Sequence, residues 1–302
     1  DGKSTTRVGR ASMVLRKSVS VPSILFSLVV VLAAVFVLVP FLVIVLTSLK
    51  TTPELNDVAG RGLLGRIVPD SFTNLENYRL LLSGQADQLN GISFLVFISN
   101  SLIVVFASLV PSVFFSVTAG YGLARYQFPL RRLFFFLFLG ILMIPMEMVS
   151  IPLYQVVALL GLTNTYLGIM IPGMISAFGV FMIYEAMSVI PQDYIDYGRV
   201  EGANEFFIFF RLVAPMAKGP IFTFMLIKFL WTWNDYFWPY LVISTEEMKT
   251  IPVALAKFTN DLFQVWPQLT AALVLSILPT FLLFLSSRRF IVRGIANIGI
   301  KG

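Results

Sequence analysis

Long apolar runs alternate with short charged segments along this chain. Val21 to Leu46, Tyr166 to Tyr184 and Leu269 to Ser287 each run without a charged residue. A bilayer core takes about 20 residues of helix, and these runs reach that length. Lipid offers no partner to backbone N–H and C=O groups, so each span must satisfy its own as a helix. The pattern predicts six helices, over about 21–46, 92–118, 133–160, 166–184, 219–243 and 269–287. The expected fold class is an all-α membrane protein with six transmembrane helices. The first run is too long for the apolar part of a signal peptide and no A-x-A site follows it, so it reads as a span.

Charge orients the spans. With the N-terminus in the cytoplasm, the inside segments hold fifteen of the 22 basic residues and the outside loops six; Lys228 lies within a span. Loops enriched in Lys and Arg stay inside, so both termini are expected to be cytoplasmic. The expected organisation is an N-terminal tail over 1–20, a six-span transmembrane region over 21–287 and a C-terminal tail over 288–302. Residues 47–91 and 244–268 form the outside loops.

Composition narrows the chemistry. The chain of 302 residues is 57% hydrophobic and 13% charged, without cysteine or histidine. That removes disulfides, thiol nucleophiles, imidazole bases and the usual zinc sites. No clustered catalytic or metal set is expected, and the net charge of +6 reflects topology rather than nucleic-acid binding. Gly60-Arg-Gly-Leu-Leu-Gly65 matches G-x-G-x-x-G. It follows no strand, opens no evident helix and lacks a Lys-Ser/Thr ending, so it reads as a flexible loop.

The segment 189–219 breaks the apolar pattern. It places Asp193, Asp196, Glu201 and Glu205 among Arg199, Arg211 and Lys218. Pro191 ends the fourth span, and Gln192 to Val200 reads as a short helix with its acids toward the start. Gly202 breaks it, Ala203 to Val213 reads as a second short helix, and Pro215 and Pro220 bracket the next span. Phe206, Phe207, Phe209 and Phe210 wrap that second helix too widely to face one side. Some should pack on the spans and others on a partner. Interfacial helices usually carry a basic polar face, whereas this segment holds more acids than bases, which favours a protein partner over lipid headgroups.

This segment resembles the cytoplasmic loop of permease subunits of bacterial binding-protein-dependent ABC importers. The family pattern is E-A-A, three residues, G, nine residues, then I-x-L-P. Here Asp196-Tyr197-Gly198 stands at E-A-A, Gly202 at the glycine, and Leu212, Ala214 and Pro215 at the end. Asp replaces Glu, Tyr replaces Ala, and Glu201 replaces the usual Asp before the glycine. Thr47–Thr51, Phe72–Tyr78, Asn100-Ser101, Gly120–Pro129, Trp233–Pro239, Arg293-Gly294 and Lys301-Gly302 also resemble carbohydrate-type permeases, most nearly the second permease of maltose-type and glycerol-phosphate-type systems. The resemblance implies a coupling loop carried by Asp196, Tyr197, Gly198, Glu201, Gly202, Ala203, Phe206, Phe210 and Pro215. It also implies a second homologous permease, two copies of a cytoplasmic ABC ATPase, an extracytoplasmic solute-binding protein and an inner-membrane location. ATP and magnesium would belong to the ATPase subunits, with no cofactor and no enzymatic activity in this chain.

Ionisable groups inside spans are costly and mark functional positions. Glu147, Lys228 and Asp235 qualify. Lys228, Trp231 and Asp235 are spaced i, i+3, i+7 and would share one helix face, with Asn234 beside them. Polar and aromatic groups together suit a sugar or related polyol, so these five residues are candidates for lining a pathway. Lys228 snorkelling to the surface and Asp235 in an interfacial aromatic belt are the plainer readings. Two rival functions remain on sequence grounds: an ion-gradient-driven transporter, which calls for internal repeats and more intramembrane acids, and an importer of the same family for a non-carbohydrate solute.

Overall fold

A computed structural model describes residues 21–57, 62–260 and 266–298, and helix is the only regular structure among them. The tails over 1–20 and 299–302 lie outside the described residues. The stretch up to Ile44 forms one compact unit and the chain from Val45 another. Helix α1 (Val21–Ser48) is apolar throughout, with Pro40 inside it, and its side chains from Leu25 to Leu42 are exposed.

The second unit starts with three short helices, α2 (Thr52–Asn56), α3 (Leu63–Ile67) and α4 (Glu76–Ser83). Next come the long α5 (Phe94–Arg125), then α6 (Arg131–Leu142) and α7 (Met146–Leu159). Helix α8 (Tyr166–Met170) leads through a 3-10 turn at Ile171–Gly173 to α9 (Ala177–Ser188). Helices α10 (Asp193–Val200) and α11 (Glu205–Phe207), a π-helical turn at Ile208–Val213 and α12 (Ala214–Met216) make up the charged segment. Helix α13 (Lys218–Trp233) is followed by α14 (Phe237–Val242), α15 (Ile251–Asn260) and α16 (Trp266–Ile298). Hydroxyls set several starts: Ser93, Thr165 and Ser176 accept from the backbone N–H of Leu95, Gly168 and Gly179, which satisfies donors that a helix otherwise leaves open.

Among the described residues, four helices are long and apolar enough to cross a membrane, and up to six when each bent pair counts as one span. The runs expected to be single helices are interrupted where a backbone bond is missing. The expected 133–160 helix is α6 and α7, bent by 105°, because Pro145 cannot donate and clashes with the preceding turn. The fourth span breaks at Pro172-Gly173 and restarts under Ser176. The expected 219–243 helix stops at Trp233 and restarts as α14. The second span continues to Arg125, and α16 continues through most of the expected tail, to Ile298. Leu63–Ile67, expected as loop, is helical.

Small residues let the spans approach closely. A Cβ on Gly120 of α5 would lie 2.8 Å from Ile183 Cγ2 of α9, and one on Gly179 of α9 would overlap the Phe224 ring of α13 and the Ser116 hydroxyl of α5. Two apolar cores cap opposite ends of α5. One gathers Phe94, Phe97, Leu81, Ile251, Phe258 and Ala272. The other gathers Val117, Tyr121, Ile183, Met187, Ile195, Ile208 and Phe209.

Candidate functional site

The segment 189–219 folds as a compact knob seated on the second of these cores. Ile195 of α10 and Ile208 of the π turn are fully buried there, and Ala203 packs against them. Gly198 is half-buried beside the π turn: a Cβ would lie 3.0 Å from Leu212 and 3.3 Å from Ile208. Gly202 has φ +80° with open space around it, so its requirement is conformational, since that region disfavours side chains. The second helix begins later than expected, with Asn204 capping it through Phe207 N–H at 2.8 Å, and its middle is a π turn. The four phenylalanines divide: Phe209 is buried against Tyr121, with ring centroids 4.9 Å apart, while Phe206, Phe207 and Phe210 are exposed. Tyr197 and Val200 are also exposed, as are Asp196, Glu201 and Pro215.

The last turn of α5 and the residue after it fix the knob, a role the sequence reading did not assign. The Arg125 guanidinium donates to the carbonyls of Met187 and Ile190 and, at 3.2 Å, to Gln192 Oε1. The Tyr126 hydroxyl donates to Glu205 Oε2 at 2.7 Å, and Arg199 Nε donates to Glu205 Oε1 at 2.8 Å. Arg199 also reaches Asp196 at 3.4 Å. The Arg199 hydrogen bond and then the Tyr126 hydroxyl hold the Glu205 carboxyl below the usual range. Burial, and then the bond to Glu205, push the Tyr126 phenol up. The only sequence signal was their place inside the quoted Gly120–Pro129 stretch.

Of the intramembrane candidates, Lys228 and Asp235 interact and Glu147 stands apart. Lys228 sits on α13 with its ammonium against Gly173, where a Cβ would lie 3.3 Å away, and Ser108 of α5 borders the same position. Trp231 packs edge-on against Phe178 at 5.1 Å and is otherwise exposed. Asn234 and Asp235 fall in the break between α13 and α14, where their N–H groups still bond back to the Leu230 and Thr232 carbonyls, and the Asp235 carboxylate stays close enough to Lys228 for the two charges to attract. Asn234 donates back to the Leu230 carbonyl at 2.8 Å, and Asp235 accepts from Trp238 N–H at 3.3 Å. Tyr236 and Tyr240 stack at 5.2 Å just beyond. Glu147 stands exposed in the first turn of α7, after the bend, and no described contact joins it to the others.

At the Asn100 end of α5, amides and hydroxyls hold loop backbone. Asn100 Nδ2 donates to the carbonyls of Glu247 and Lys249 at 2.7 and 2.9 Å, and its Oδ1 accepts from the Tyr166 hydroxyl at 2.6 Å. Ser101 accepts from Ile251 N–H at 2.8 Å. Asn164 accepts from Ser244 and Thr245. Burial would raise Glu246, yet Lys249 and Lys257 hold its carboxyl below the usual range. The fully buried Lys50 donates to the carbonyls of Gly65 and Arg66 at 3.2 and 2.7 Å. Asn77 donates to those of Ser48 and Lys50, both at 2.8 Å. The two quoted stretches 47–51 and 72–78 are thus one structural unit.

The model of the family described as binding-protein-dependent transport system inner membrane component matches residues 112–297. The chain belongs to this family. This inner-membrane component is 31% identical over 283 residues to the arabinooligosaccharides transport system permease protein AraQ of Bacillus subtilis (strain 168), covering 94% of this chain and 97% of the relative. It is 30% identical over 210 residues to the sn-glycerol-3-phosphate transport system permease protein UgpE of Yersinia pestis, covering 69% and 75%. A chain in the crystal structure of a bacterial ABC transporter involved in the import of the acidic polysaccharide alginate shares its fold, with TM-score 0.76, 22% identity and coverage of 90% and 97%. The relatives are transport permeases, not enzymes. An ABC importer permease of this family works with a partner permease, an ATPase and a binding protein.

Proposed function

We propose that this permease forms half of the translocation pathway of an ATP-driven importer for a sugar, oligosaccharide or related polyol. A second, homologous permease supplies the other half. Two copies of a cytoplasmic ATPase hydrolyse ATP with magnesium, and an extracytoplasmic binding protein delivers solute to the loops at the Asn100 end. Both termini and the 189–219 knob then lie in the cytoplasm. The observation that carries this reading is the knob itself. It is seated on a buried core and tied to α5 by Arg125, while Tyr197, Val200, Phe206 and Phe210 stay exposed for a partner. Helices fixed in this way transmit displacement as a body, whereas a flexible loop would absorb it. In support of a carbohydrate, Trp231 and the stacked Tyr236 and Tyr240 offer ring faces beside Asn234 and Asp235, and AraQ is named for arabinooligosaccharides.

The test is reconstitution with the partner subunits. Phe206→Ala with Phe210→Ala removes exposed aromatic anchors of the kind that dominate interfaces. We expect at least tenfold weaker ATPase retention with an unchanged melting temperature for the chain alone. Full retention with normal transport would refute the coupling assignment. Trp231→Ala should raise the half-saturating sugar concentration for stimulated ATP hydrolysis severalfold. Stimulation by a non-carbohydrate solute alone would move the substrate to the rival class.

A further inference from the structure

A cavity of about 560 Å³ opens at the start of α6, apart from the knob's partner-facing residues and the α13–α14 break. Its polar rim carries Arg131, Arg132 and Gln127, and its wall carries Phe128, Phe135 and Tyr184. Phe135 and Tyr184 pack 4.7 Å apart, which closes that wall. The size falls within the range of pockets that hold small organic ligands and far exceeds what an inorganic phosphate fills.

Electrostatics says what belongs there. No carboxylate lines the cavity, and neither arginine is in an ion pair among the described residues. Two guanidinium groups stand at the start of a 12-residue helix, the positive end of its dipole, which disfavours cations. Nothing in the first turn offsets them: it holds no acid, and Leu130, at φ +66°, offers no capping side chain. An anion would relieve the guanidinium pair and take up the Arg132 and Leu133 N–H groups of the first turn, since that of Arg131 already donates to the Phe128 carbonyl. Immediately beside the rim, α6 presents Leu133, Phe136 and Leu137, all at least half exposed. In a chain whose family sits in the inner membrane, that apolar flank is continuous with the acyl region.

We propose that this cavity binds the phosphate headgroup of an anionic phospholipid, with the phosphodiester between Arg131 and Arg132, the glycerol region along the aromatic wall, and the acyl chains against the exposed flank of α6. The site needs only membrane placement, so it stands or falls separately from the coupling and substrate assignments.

The experiment uses the full chain purified in mild detergent with its partner subunits, delipidated, then titrated with phosphatidylglycerol, phosphatidylcholine or inorganic phosphate. Native mass spectrometry reads retention and thermal melting reads stabilisation. Phosphatidylglycerol should be retained at least tenfold more than phosphatidylcholine and should raise the melting temperature. Inorganic phosphate at millimolar concentration should not reproduce that rise; if it does, the site is a plain anion site and the lipid assignment is wrong. Arg131→Gln with Arg132→Gln should abolish the preference. Arg131→Lys with Arg132→Lys keeps the positive charge that sets topology and loses the bidentate fork, so it should lower the preference severalfold while insertion stays normal. Equal retention of both lipids by the wild-type chain overturns the proposal whatever the variants do. Loss of ATPase retention in the glutamine variant, with the lipid preference unchanged, would give the cavity to a protein partner instead.

Discussion

At its Asn100 end α5 is fastened by uncharged groups, and at its Arg125 end by a cation. Twenty-five residues of helix, about 37 Å at 1.5 Å per residue, separate the two. Asn100 is 3% exposed and makes three hydrogen bonds, two of them to loop carbonyls far along the chain. Arg125 also grips carbonyls, but its neighbours Tyr126, Glu205 and Arg199 form a partly exposed charged chain. Neutral buried bonds resist salt and pH, and exposed charged ones yield to both. Under the proposed function, the contrast matches a loop that keeps its shape at one end and a knob that mates with a partner at the other.

Breaking the Asn100 end should have the largest effect. Asn100→Ala leaves the Glu247 and Lys249 carbonyls without their donor, a loss of about 3 kcal/mol from two part-buried acceptors left unpaired, read by thermal melting in detergent. Raising salt to 1 M should leave that difference unchanged. Arg125→Lys keeps the charge and loses the fork, so it should cost about 2 kcal/mol and weaken ATPase retention, because Met187 and Ile190 lose their shared donor. A fully retained partner would show that the knob holds its place without Arg125.

Acid sharpens the comparison. The Glu205 carboxyl is lowered from 4.5, so its contribution is present above pH 4.5 and is lost as pH falls below it. Glu246 is lowered from the same value and carries the same sign. Glu246 is the less exposed, at 31% against 45%, so Glu246→Gln should flatten the acid limb of the stability profile more than Glu205→Gln does. The reverse order would show that the charged chain near Arg125, exposed as it is, holds its end more firmly than the half-buried Lys249 and Lys257 hold theirs.

The sequence made helix and membrane legible, because runs such as Leu269–Ser287 leave no other solution in lipid. It also exposed the joint at Gly202, whose positive φ matches the break read there. It could not show that α13 ends at Trp233. Aromatic and apolar residues resume directly after Asn234-Asp235, so the pattern reads as one helix, and Lys228 and Asp235 remain within reach of each other's charge across the joint. Asn100, Lys50 and Arg125 were visible only inside stretches of family resemblance. Their partners at Glu247, Gly65 and Met187 are set by the fold, and nothing local to those three residues announces them.

Lys50 has a practical consequence. An ammonium with 0% exposure and two carbonyl partners is closed to amine-reactive reagents, whereas the exposed Lys218 should be acylated readily. In the intact protein Lys50 should therefore stay unmodified through a pulse of N-hydroxysuccinimide ester. Its first appearance in a labelling map would time the opening of the 47–78 layer, with no engineered probe required.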